Sequence, residues 1–153
     1  IQYVTYADGY AGEAEDHGTH VSGSVAGTPF DSSINATYRG NNEDPAINFQ
    51  GMAPEAKIAF FDLGFANGGL SVPDAATELF GPSYSAGARI HTNSWGSSAS
   101  FHDIGSYNID QYLFDNQDFI ALFAAGNSGD DAGFGSVGNP AVAKNVLSVG
   151  ATM

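Results

Sequence analysis

Apolar and polar positions fall into short alternating blocks along this chain. Phe119-Ile120-Ala121-Leu122-Phe123-Ala124-Ala125 is a continuous apolar run that stops abruptly at Gly126-Asn127-Ser128-Gly129. That pattern predicts a strand buried on both faces. Residues 57–63, 90–95 and 145–151 predict three more strands, the last with clear in–out alternation. Helical spacing appears between them. Ile109, Tyr112 and Leu113 stand at i, i+3 and i+4 in a predicted helix over 107–116. Residues 72–86 predict another, which Pro82 should kink or interrupt and which Gly87 should close as its C′ residue. A first helix begins at His17 with Asp16 as N-cap, and Val21, Val25 and Ala26 form its apolar face. Strands alternating with helices imply an α/β fold, a parallel sheet with helices on both faces.

The first helix is unusually rich in small residues: Gly18, Ser22, Gly23, Ser24 and, just beyond, Gly27. Each glycine inside a helix costs up to about 1 kcal/mol relative to alanine. A sequence tolerates that where another backbone must come close or a side chain must be placed accurately. Between this helix and the next strand, residues 28–50 are rich in Asn, Ser, Asp and Gly and predict an inserted polar surface loop. The loop contains the sequon Asn35-Ala36-Thr37, meaningful only on a eukaryotic secretory route. Asp31, Asn35, Asn41, Asn42, Glu43 and Asp44 offer oxygens for calcium as a structural ion, without a defined ligand pattern.

Composition narrows the function classes. The 153 residues suffice for one core, and 42% are hydrophobic, which excludes a disordered chain. Four basic residues against 17 acidic ones give a formal charge of −13. Nucleic acid is thereby excluded as a partner, since phosphate backbones require a basic surface. With no cysteine there is neither a disulfide nor thiol chemistry. No stretch is long and apolar enough to span a bilayer, so no membrane partner is expected. Such an acidic chain suits a soluble protein in an exposed medium.

Two segments carry candidate chemistry. In Asp16-His17-Gly18-Thr19-His20-Val21-Ser22-Gly23, His17 opens a helix near its surface end, where an imidazole can act as a general base. The zinc-peptidase pattern His-Glu-x-x-His is absent, and His91 and His102 have no ligand spacing to His17 or His20, so no metal is expected there. Asn127 follows the carboxyl end of a strand, where catalytic residues of parallel sheets gather. Its amide could donate to an oxyanion formed in acyl transfer. Asn-Ser-Gly is equally ordinary turn chemistry.

The octapeptide around His17 resembles the histidine motif of the subtilisin-like serine peptidases, His-Gly-Thr-His-Val-x-Gly, and Ala124-Ala125-Gly126-Asn127 resembles their oxyanion-hole segment. Gly51-Met52-Ala53-Pro54-Glu55-Ala56 and Asn145-Val146-Leu147-Ser148-Val149-Gly150-Ala151 are similar to further phrases of that family. The resemblance implies a three-layer subtilisin-like fold, with residues 1–153 forming a central part of the peptidase domain. It implies that His17 is the catalytic base, that His20 packs and hydrogen-bonds one turn further in, and that Asn127 is the oxyanion donor. His17 and Asn127 would then serve one cleft. In subtilisin itself, loss of this amide donor costs roughly a hundred- to a thousandfold in turnover. Ser94, Trp95 and Gly96 would line one wall of the specificity pocket, and Ala125 and Gly126 the other. A polypeptide substrate would bind as an added strand. Trp95 also reads as a core aromatic.

Two parts of the family's triad have no counterpart. Asp8 precedes Gly9-Tyr10 rather than the family's Thr/Ser-Gly, and Asp16 is better placed to cap the helix than to reach the imidazole. No Gly-Thr-Ser-Met-Ala-x-Pro string occurs. The orienting aspartate and nucleophilic serine are therefore expected outside this chain, which should be inactive alone. The complete enzyme is expected to be a secreted, extracellular monomer without an organic cofactor. A catalytically inactive, peptidase-like peptide-binding module is the alternative. An unrelated nucleotide-binding domain finds no phosphate-loop motif in its favour.

Overall fold

A computed structural model describes residues 3–6, 17–27, 51–64, 69–129 and 135–151. The polar stretch 28–50, with its sequon and candidate calcium ligands, lies outside the described residues, as do Asp8 and Asp16. The chain divides into two compact units, Ile1–Ser71 and Val72–Met153.

In the first unit, strand β1 (Tyr3–Tyr6) pairs in parallel with β2 (Ala59–Asp62), Tyr3 opposite Ala59 and Tyr6 opposite Asp62. Helix α1 (His17–Ala26) has no fully buried residue, and Val21, Val25 and Ala26 are half-buried. Its small residues serve two close approaches. The ring of Phe60 stands 3.0 Å from where a Cβ on Gly18 would be. Gly51 lies against the carboxyl end of the helix, where an added Cβ would stand 2.6–2.7 Å from backbone atoms of Gly27, Ala26 and Gly23. That proximity lets the chain after the polar stretch cap the helix. The amides of Gly51, Met52 and Ala53 donate to the carbonyls of Gly27, Ser24 and Val25 at 2.7, 3.0 and 2.7 Å, satisfying acceptors that a helix end leaves open.

The second unit holds a three-stranded parallel sheet, β3 (Ile90–Asn93), β4 (Ile120–Ala124) and β5 (Leu147–Val149), in that spatial order. Ile90 faces Ile120, and Leu122 faces Leu147. Helix α2 is π-helical over Ala75–Phe80 and α-helical over Gly81–Ser85. Pro82 explains the change of pitch. It has no N–H and its ring would strike the carbonyl four residues back. The preceding turn widens instead, and Gly81 donates five residues back to Ala76. The helix closes as expected on Gly87, at φ 101°, whose amide bonds Tyr84 while that of Ala88 bonds Ser83, a Schellman arrangement. Helix α3 (Ile104–Asp115) begins earlier than the apolar spacing predicts, because Asp103 caps it by accepting from Ser106 N at 2.9 Å.

Ile109 and Leu113 of α3, Leu79 and Phe80 of α2, Phe119 just before β4, and Ala121 and Phe123 of β4 make the core. Phe80, Tyr112 and Phe119 pack ring to ring at 5.4–5.7 Å. β4 is not buried on both faces, as its unbroken apolar run predicts. Ala121 and Phe123 are fully buried, whereas Ile120 is 42% exposed. Ile90, Leu147 and Val149 are exposed as well, so the described helices of this unit cover one face of its sheet. Apolarity alone does not reveal which face a neighbour covers. Among the described residues no helix is long and apolar enough to cross a membrane.

Two ionisable groups of this unit, one buried in α3 and one packed against these rings, respond in opposite ways. Asp110, 7% exposed, accepts from Lys144 N and Asn145 N at 3.1 and 2.7 Å, and His102 Nε2 lies 2.8 Å from it. Burial raises its pKa, but these hydrogen bonds outweigh burial and hold it below the ordinary carboxylate value. His91 sits 4.8 Å from the Phe80 ring centroid and leaves Nδ1 without a hydrogen-bond partner. Burial pushes its pKa down to about 4, against a weaker opposing effect of Asn93.

The folded pKa of His91 lies below its unfolded value of about 6.5, so the unfolded chain binds more protons between those limits. Stability should be full above pH 6.5 and should fall by on the order of 3 kcal/mol as the pH drops to 4. His91→Leu should remove most of that slope. Urea denaturation at pH 7 and pH 4.5, followed by Trp95 fluorescence, checks this; an equal loss in the variant would show that another group carries it.

Candidate functional site at the strand ends

The residues predicted to carry chemistry lie at the ends of elements. His17 is the first residue of α1 and is exposed. His20, one turn later, is exposed too, which corrects the expectation that it is packed. Both belong to the first unit, whereas Ser94, Trp95, Gly96, Ala125, Gly126 and Asn127 belong to the second.

In the second unit the parallel register brings the carboxyl ends of β3 and β4 side by side, with Asn93 opposite Phe123. Ser94 and Gly96 leave β3 exposed, and Trp95 is half-buried. The indole donates from Nε1 to Asn93 Oδ1 at 3.1 Å and meets the Phe123 ring nearly edge-on, 5.4 Å between centroids. Asn93 is 2% exposed and its Nδ2 donates to the Leu122 carbonyl at 3.1 Å. One buried amide thus joins β3 to β4 and orients the tryptophan. The sequence signal for it is the strand alternation that places Asn93 on the inward side with His91, where a buried amide needs partners.

Past β4, Ala125 continues the ladder by donating to Val149 O at 2.9 Å. Gly126 then turns the chain at φ 108°, a conformation that side-chain-bearing residues rarely adopt. Asn127 follows and is exposed. A depression of about 200 Å³ lies across these strand ends, lined by Thr92, Asn93, Ser94, Leu122, Phe123, Ala124 and Val149. Ser94 is the predicted wall residue that enters its lining.

A third segment joins the two walls. Ser97 N donates to Asn139 O at 2.8 Å, and Gly138 N donates to Ala125 O at 2.9 Å. A Cβ on Gly138 would stand 2.2 Å from the Ser97 carbonyl oxygen, so no larger residue fits without moving the wall. Nothing local in Gly138-Asn139-Pro140 signals this bridge, whose partners Ser97 and Ala125 are distant in the chain. Chemically, the edge offers exposed main chain for an extended peptide and one side-chain amide donor beyond it.

The subtilase family profile matches residues 3–153. Three Dictyostelium discoideum proteins are similar to the chain. The serine protease/ABC transporter B family protein tagD is 42% identical over 144 residues, covering 90% of this chain. TagB, of the same description, is 38% identical over 99% of the chain, and tagA 29% over 97%. The chain spans only 7–8% of the length of these relatives.

Trp95 is the single tryptophan, so tryptophan emission, excited selectively against the tyrosines, reports on this edge alone. Asn93→Ala leaves the indole N–H and the Leu122 carbonyl without their partner. It should destabilise the chain by about 1–3 kcal/mol and shift the emission to the red as the ring gains water. Emission unchanged from wild type would show that packing on Phe123 suffices to hold the ring.

Proposed function

The chain belongs to the subtilase family, a serine-peptidase type of domain, and from that premise we propose that it supplies the general base and the oxyanion donor of a serine endopeptidase. The observation that carries this reading is the exposure of both groups at element ends, His17 opening α1 and Asn127 just past β4. Neither is engaged in a core, and each stands in a motif matching the family's.

In this mechanism a serine from a segment outside this chain attacks the scissile carbonyl of a polypeptide. His17 takes the hydroxyl proton as the oxygen–carbon bond forms, and an aspartate, also outside this chain, orients the imidazole. The carbonyl electrons move onto oxygen, where the Asn127 amide donates a hydrogen bond to the developing charge. His17 then passes its proton to the leaving amine as the carbon–nitrogen bond breaks. Water repeats the sequence on the acyl-enzyme, with His17 again as base. Ser94, Trp95 and Gly96 on one side and Ala125 and Gly126 on the other receive the substrate as an added strand. The 153 residues alone are expected to lack turnover. We further propose a secreted, monomeric enzyme, with calcium as a structural ion.

In the polypeptide that carries the serine, His17→Ala should reduce kcat by several orders of magnitude with KM little changed. Asn127→Leu should reduce kcat by about 10²–10³, the range known from subtilisin. His20→Ala should retain most turnover per folded molecule. Peptide hydrolysis checks all three, normalised to folded protein by circular dichroism because phosphonate titration itself requires the base. Peptide binding without turnover in the unaltered protein would favour the inactive binding module instead. A dead, well-folded His20→Ala beside an active His17→Ala would move the base by one helical turn.

A further inference from the structure

The β3–β4 ladder ends at the pair Asn93–Phe123. Beyond it, the segments 94–97 and 125–127 are no longer paired with each other, yet the spacing between them must stay fixed if an extended peptide is to lie along their edge. Two consecutive residues provide that spacing. Asn139 accepts from Ser97 N, and Gly138 donates to Ala125 O. One peptide unit therefore separates the anchor of one wall from the anchor of the other.

Asn139 also has a second attachment. Its Nδ2 donates to Phe101 O at 3.0 Å and to Ser106 Oγ at 2.8 Å. Ser106 is fully buried in the first turn of α3, and its own amide is held by the Asp103 cap. Both hydrogens of the Asn139 amide are thus used, one on the connection leading into α3 and one in its first turn. We infer that Asn139 is a positioning residue for substrate. Its side chain ties the two walls of the binding edge to the start of α3, without touching substrate itself. This inference rests on the reading of 94–96 and 125–126 as cleft walls.

A residue in this position acts on how well the edge accepts a peptide rather than on proton transfer at the reacting carbonyl. The loss should therefore appear in KM, with kcat retained. Aspartate, of the same size, has no N–H to donate and so cannot replace the amide.

The test uses the complete serine-bearing polypeptide and a peptide substrate, with active sites counted by phosphonate titration. Asn139→Ala should raise KM about tenfold and leave kcat within about twofold. Asn139→Asp should behave likewise, and Ser106→Ala, which removes one acceptor, should raise KM about threefold. The Asn139→Ala/Ser106→Ala double variant should have the KM of Asn139→Ala alone, since the second change removes a bond already lost. If Asn139→Ala folds poorly, Ser106→Ala retains the α3 cap and still reads the same coupling. An unchanged KM accompanied only by a lower melting temperature, or KM effects that simply multiply in the double variant, would overturn the inference. Absence of any His17-dependent turnover in the unaltered protein is a separate result, which overturns the peptidase reading and this inference with it.

Discussion

Backbone approaching backbone is the constraint on which this structure depends. At residue 138 the Ser97 carbonyl oxygen occupies the space of a side chain, 2.2 Å from an added Cβ. Only glycine lets the segment after β4 lie on the segment after β3. The same solution recurs in the first unit, where Gly51 rests on the last turn of α1 and its following amides close the helix. Both contacts join pieces of chain far apart in sequence, one at the carboxyl end of α1 and one beside the strand-end segments after β3 and β4. Each exchanges the loss of a side chain's apolar burial for main-chain hydrogen bonds, whose directionality fixes position where apolar packing would leave it looser.

Two buried polar side chains of the second unit and one half-buried one extend that precision. Asn93 spans β3 and β4 and holds Trp95, Asp110 ties α3 to the entry of β5, and Asn139 ties the strand-end loops to the start of α3. All three have their bonds made within the protein, which offsets the cost of removing them from water. His91 is the exception. With Nδ1 unpartnered among aromatic rings, it contributes packing while neutral and opposes folding once protonated. In a chain of formal charge −13, several acids also act locally. Asp74 and Asp103 cap helices, and hydrogen bonds from Thr77 and Ser106, respectively, lower their pKa.

Much of this was legible in the sequence because it is local. The apolar spacing of Ile109 and Leu113, the C′ role of Gly87, the strand before Gly126 and the α/β class each follow from a few neighbouring residues. The family was legible from the strings around His17 and Asn127. What escaped depends on partners distant in the chain. Nothing near Gly138 indicates that Ser97 will lie against it, and nothing near Asp110 announces the amides of Lys144 and Asn145. β1 escaped for another reason: Tyr3-Val4-Thr5-Tyr6 has strand-forming side chains, but four residues at the start of the chain give too short a pattern. The sidedness of β4 was misread because an unbroken apolar run carries no period. His20 was misread because the family's packing was assigned to a position that is exposed here.

The central claim is that His17 and Asn127 act on the same carbonyl. The most direct test is a crystal structure of the complete serine-bearing polypeptide treated with a peptidyl phosphonate, whose tetrahedral phosphorus stands in for the carbon under attack. The account predicts phosphorus bonded to the serine, the His17 imidazole and Asn127 amide both within about 3 Å of oxygens of that centre, and the peptide paired along residues 94–96. A labelled centre held by a different histidine, or with Asn127 turned away from it, would contradict the account.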